Sequence, residues 1–285
     1  MGSVSKLFGQ LAARSLESES SNILRTASAN KTGLSRALDA TLRANHNMRI
    51  FGLGTAASLA SRERYGRFSA SMHAVYATME RSLDASTSPP VKSLWGQHGD
   101  ALRRANALKA DLDEVGVFPH VSGCGHMDDG LYFDSFSECP SEATATYLEA
   151  IHAAAEDDDA TGGGRLLGHV YCRYFADLFG GQALALPTRW ALSLSDCSPR
   201  HYDFGEFGHS RRDSIQAVYV ALNEAGEMMD ELQRSACVAE AATAFARNVD
   251  VYAEEAPLAL AAAHGIVNVA TGFVRTRARA FGITS

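Results

Sequence analysis

A chain of 285 residues with 46% hydrophobic and 21% charged residues has enough apolar material for a substantial core and the composition of an ordinary soluble globular protein. Its formal net charge of −7 argues against the broad basic face of a nucleic-acid binder, and no nucleic-acid partner is expected. Its five cysteines are odd in number and widely spaced, with no Cys-x-x-Cys pair. That pattern fits an intracellular, reducing compartment, either the cytoplasm or the matrix of a mitochondrion or plastid.

Residues 1–33 are serine-rich, contain Lys6, Arg14, Arg25 and Lys31, and have no acid before Glu17. An organellar presequence and a flexible N-terminal extension are the two readings of this segment. Beyond it, apolar residues recur at i, i+3, i+4 and i+7, while strand-like alternation is scarce, so the expected class is all-α in a single domain. The periodicity predicts helices over 34–46, 60–84, 93–115, 141–155, 165–195, 209–232 and 234–256, with a last one over 258–280.

The expected breaks are Ser86–Pro90, the glycine-rich stretch 119–140, and 157–164, where the triplet Asp157, Asp158 and Asp159 reads as a solvated turn. Cys124-Gly-His126 has the look of a metal half-site, but no second pair accompanies it and a loop is the expectation. Pro257–Val274 has about the length of a membrane span and is followed by Arg275, Arg277 and Arg279. His264, Asn268 and Thr271 interrupt it, and Gly265 and Gly272 leave it alanine-rich, so a packing helix is favoured over a membrane anchor. The domain reading is therefore an extension over 1–33, a helical domain over 34–256, and a helical tail over 257–285.

One stretch stands apart: His169-Val-Tyr-Cys-Arg-Tyr-Phe-Ala-Asp-Leu-Phe-Gly-Gly-Gln182 puts adjacent Gly180 and Gly181 just after Arg173 and Asp177. Each glycine inside a helix costs about 1 kcal/mol relative to alanine, so the pair implies that something flat or bulky approaches the backbone. Read alone, Arg173 and Asp177 fit an exposed i,i+4 ion pair equally well.

This run resembles the distal-helix signature of the heme oxygenases, with Ala176 where a glycine is usual and Phe179 where a serine is usual. Similar stretches follow at Leu34–Thr41, Tyr65–Glu80, Leu102–Leu112, Ala143–Tyr147 and Glu240–Asn248. Together they span residues 34 to 256. The resemblance implies an all-helical fold that takes heme as both cofactor and substrate. It also implies oxidative opening of heme to biliverdin, carbon monoxide and ferrous iron, using O2 and electrons from a separate reductase or ferredoxin.

Residue roles follow from the same resemblance. His46 falls at the proximal, iron-ligating position; by spacing it follows Leu34, Leu38 and Leu42 near an apolar face, where the plain alternative is a helix-end histidine bonded to a carbonyl or water. Tyr76, Tyr147, Arg173, Asp177 and Asn248 fall on the distal hydrogen-bond network. There Asp177 would hold a water beside the oxygen ligand and the others would orient it as a proton relay. Ala176, Gly180 and Gly181 would lie against the porphyrin, and Phe245 would pack on it.

The cations that pair with heme propionates are thinly represented. Arg43 keeps one, Asp39 replaces another, and Ile215 and Tyr219 occupy the later pair, with Arg211 or Arg212 as candidate substitutes. Ala176 and this thin set leave a second reading, a non-catalytic heme-binding or scaffold protein of the same fold. A helical di-iron oxidase would need several Glu and His ligands at matched spacings, and that constellation is not seen.

Overall fold

The computed structural model describes residues 31–44, 48–116, 140–205, 211–254 and 257–281. Among them there is no strand. The expectations placed on residues 1–30, on Cys124-Gly-His126 and on His46 lie outside the described residues.

The chain enters through α1 (Gly33–Ala44), which buries Leu34 and Leu38. It resumes in α2 (Met48–Ser58), a helix that the periodicity does not predict because Gly52 and Gly54 weaken it. Packing supplies what propensity lacks: a β-carbon on Gly54 would collide with the ring of Tyr252. α3 (Arg62–Ala85) is capped by Ser61, whose side chain accepts from the Arg64 N–H. It buries Met72, Tyr76, Met79 and Leu83 along one helical stripe in the main core, while Tyr65 near its start packs in a separate group with Leu59, Val115 and Leu192.

The expected helix 93–115 is instead two helices, α4 (Pro89–Leu102) and α5 (Ala105–Val115). The cause is Glu80, which reaches from α3 to accept the N–H groups of Arg104 at 2.6 Å and Ala105 at 3.0 Å, so a new helix starts there. The buried Arg104 guanidinium in turn bonds the carbonyls of Leu102 and Ala101 that end α4.

The solvated turn expected at 157–164 is also corrected. α6 (Glu142–Thr161) continues through the acidic triplet and stops only at Gly162, which has a left-handed backbone. Asp158 is fully buried and accepts the Arg165 N–H at 2.6 Å and the Leu166 N–H at 2.8 Å. Its carboxyl is the cap of the next helix rather than a surface charge.

That next helix runs without a break from α7 (Arg165–Val170) through two π-helical turns, Tyr171–Phe175 and Asp177–Gly181, into α8 (Gln182–Leu192). A short 3-10 turn, Arg200–Tyr202, leads on to α9 (Arg211–Glu227) and α10 (Glu231–Ala253), the latter opened by a capping box of Asp230 and Gln233. α10 packs along α7, α6, α1 and α2.

The last helix, α11 (Leu258–Ala280), packs on both α2 and α8. Gly265 lies against the Ala56 carbonyl and Gly272 against the Trp190 carbonyl, where a β-carbon has no room. Between them Asn268 donates to the Leu59 and Ala60 carbonyls at 3.0 and 2.9 Å, capping the end of α2. The opposite side exposes Leu260, Ile266, Val267 and Val274. By length and composition alone α11 would also suffice to cross a membrane.

Candidate active site

The two π turns carry Arg173 and Asp177. A π turn inserts one extra residue per turn and re-aims the side chains around it, which is why such turns recur at functional sites. Here they bring Arg173 and Asp177 to the inside of the molecule, both at least nine-tenths buried, so the exposed ion-pair alternative does not hold. Ala176 between them is exposed.

Four of the five candidate network residues meet directly. Tyr76, fully buried on α3, donates its hydroxyl to Asp177. The Arg173 guanidinium lies 3.7 Å from the same carboxylate oxygen, 5.3 Å from the Tyr76 ring centre, and donates to Asn248 on α10 at 3.0 Å. Tyr147, on α6, is fully buried; its hydroxyl makes no bond to protein, and neither does Nε of Arg173. Burial holds the Tyr76 and Tyr147 phenols well above their ordinary pKa, so both are proton donors at neutral pH. Burial opposes the charge on Arg173, yet the neighbouring Tyr76 and Asp177 keep it firmly protonated.

Phe245 is buried beside Cys172 and Val249, with Leu42 and Ile50 packed against that group. Gly181 does not present an open face: the space its β-carbon would fill is taken by the ring of Tyr202. The side-chain surroundings of Gly180 lie outside the described residues. Arg43 does not stand free, since its Nε donates to Asp39 at 2.7 Å, with Lys31 on the other oxygen of that carboxylate. Ile215 and Tyr219 are buried in the core, so the positions they occupy offer no cation. No group of three or more potential metal ligands occurs among the described residues.

Sequence reasoning missed two tyrosines. Tyr202 packs on Gly181 and lies at a tilt against the ring of His201, which is fixed by a 2.7 Å contact to the buried Asp111. Tyr252, on α10, stacks on Phe68 and fills the space that a β-carbon on Gly54 would need. The spacing of Tyr252 from Asn248, one helical turn, is the signal that could have found it.

An all-helical core with a buried Tyr–Asp–Arg–Asn network on a π-turned helix defines the class: the heme oxygenase fold. The likeness to solved structures agrees with that class. The heme oxygenase-2 of Synechocystis in complex with heme and NO superimposes with a TM-score of 0.63 at 21% identity, covering 78% of this chain and 85% of that one. The heme oxygenase 2 of Chlamydomonas reinhardtii without heme gives 0.62 at 19% identity, covering 78% and 97%.

A family model described as heme oxygenase matches residues 131–254. The heme oxygenase of Pyropia yezoensis is 26% identical over 197 residues, 68% of this chain and 72% of that protein. Over these stretches the chain is similar to heme oxygenases.

Proposed function

We propose that the protein is a heme oxygenase, opening heme to biliverdin, carbon monoxide and ferrous iron. The observation that supports this most is the buried contact of Tyr76, Asp177, Arg173 and Asn248 beside the exposed Ala176. The residues present fit the group. Two buried polar atoms near Asp177, the Tyr147 hydroxyl and Arg173 Nε, have hydrogen-bonding capacity left for water, as a proton relay requires.

Bound heme would supply the iron that activates O2 and the macrocycle that is cleaved. His46 would be the proximal ligand, a neutral imidazole that suits this chemistry better than a thiolate. Ala176, Gly180 and Phe245 would border the macrocycle, and Arg43 would have to exchange Asp39 for a propionate to contribute a charge. Asp177 would orient a water, held in place by the Tyr76 hydroxyl and the Arg173 charge. Tyr147 and Asn248 would keep the relay supplied and aligned. Electrons would come from a separate reductase or ferredoxin, in a reducing compartment consistent with the free thiols of Cys172, Cys197 and Cys237.

Hemin titration of the purified protein tests the binding half of this reading. A saturable Soret band is expected, with the axial-ligand spectrum lost in His46→Ala. No Soret shift in the wild type would refute the proposal. A complex that survives reductant and oxygen unchanged would favour the non-catalytic binder instead.

A further inference from the structure

The outer side of α11 carries an ordered apolar line. Leu260, Val267, Val274 and Phe281 fall at seven-residue intervals, and each is between 56% and 71% exposed. Seven residues stop about 20° short of two helical turns, so the four side chains form one line about 30 Å long. Ile266 and Phe273 widen it and are exposed as well. An apolar stripe of this extent marks a contact surface, where single exposed residues would not.

The inner side argues against a helix that crosses a membrane. Gly265 and Gly272 sit in backbone contact with α2 and α8, and Asn268 donates to the Leu59 and Ala60 carbonyls; a spanning helix would break these ties and carry Asn268 into hydrocarbon. Charge then decides what the outer side meets. α11 holds Arg275, Arg277 and Arg279 and no Asp or Glu, in a chain whose formal net charge is −7. Arg275 is turned to Ser193 at 3.2 Å, whereas Arg277 lies over the Phe273 ring, beside the apolar line. A second copy of α11 laid parallel would set arginines against arginines, and laid antiparallel would set them against the uncharged Leu258 end. Neither offers an anion. Anionic lipid headgroups do, and arginine reaches them while its stem stays on apolar surface. The same headgroups repel the acidic remainder of the chain, which leaves α11 as the side that turns to them.

We propose that α11 docks the protein in the plane of an anionic membrane surface: the Leu260–Phe281 line enters the boundary between headgroups and acyl chains, and Arg277 and Arg279 meet lipid phosphates. The helix stays packed on α2 and α8 throughout. This docking does not rest on the heme oxygenase reading.

Co-sedimentation of the full chain with vesicles tests it, using phosphatidylcholine alone and phosphatidylcholine mixed with phosphatidylserine. The wild type should bind the anionic vesicles, come off in high salt, and bind the neutral ones far more weakly. Each basic residue at such a surface is worth about fivefold, so Arg277→Gln with Arg279→Gln should weaken binding roughly 25-fold. Val267→Glu with Val274→Glu should abolish it and leave the urea midpoint unchanged, since both side chains are exposed. No binding to anionic vesicles, equal binding to both kinds, or full binding by the arginine variant overturns the proposal. A pellet that resists alkaline carbonate also overturns it, in favour of a spanning helix. A dimer in sedimentation velocity that the valine variant dissociates overturns it in favour of a second copy of the chain.

Discussion

Asp177 owes its orientation to groups brought from two other helices: Tyr76 donates to it directly, and Asn248 holds the Arg173 that faces it. At the same scale Gly181 has a definite reason to be glycine, the Tyr202 ring against its Cα. Gly181→Ala should therefore lower stability by about 1–3 kcal/mol in urea unfolding, the usual cost of overpacking, rather than act first on ligand affinity. An unchanged midpoint would show that Tyr202 yields freely. Tyr76, Arg173, Asp177 and Asn248, the four candidates that the structure brings together, sit inside recognisable stretches of the sequence, whereas Tyr147 from the same reading is buried without joining them. Tyr252 and Tyr202 were not legible there, because their partners Gly54 and Gly181 are set by packing between elements rather than by any motif.

Among the elements, those whose ends depend on a neighbour were the hardest to read. The 3.6-residue periodicity of α3, α10 and α11 marks them from sequence alone, whereas the start of α5 is imposed by Glu80 and the start of α7 by Asp158. The π turns left no local signal either, since a shifted hydrogen-bond ladder changes no residue type.

Glu114, at the end of α5, shows how such tertiary ties respond to pH. Its carboxylate accepts from the Ser195 N–H at 2.7 Å and from Ser198, and meets Arg200 at 3.0 Å, tying down the segment after α8. Burial is the largest single influence and pushes its pKa up, but the bonds from Ser198, Ser195 and Arg200 together outweigh it and hold the pKa down to about 2. A folded pKa below the unfolded value means that the stabilisation is present above the ordinary carboxylate pKa and lost as pH falls towards 2. Glu114→Gln should thus cost stability at pH 7 but make little difference near pH 2. Urea midpoints at the two pH values check this, and an equal cost at both would refute it.

On the scale of the whole molecule, α11 closes the structure by lying across α2 and α8, the helices that continue from the His46 segment and from the π-turned helix. Its two backbone-contact glycines and Asn268 commit its inner face to the protein. Gly265, Asn268 and Gly272, which interrupt the apolar run in the sequence, are the residues that make these contacts, whereas the helices they meet were not legible there.

The measurement that bears most directly on function is conversion of hemin by the purified chain with an external reductant and O2, read as biliverdin absorbance. One biliverdin per hemin is expected from the wild type. In Asp177→Ala, hemin should still bind while the rate falls roughly 100-fold, as when a positioned proton-transfer group is lost. A wild-type hemin complex that persists unchanged through reduction and oxygenation would contradict the proposed activity.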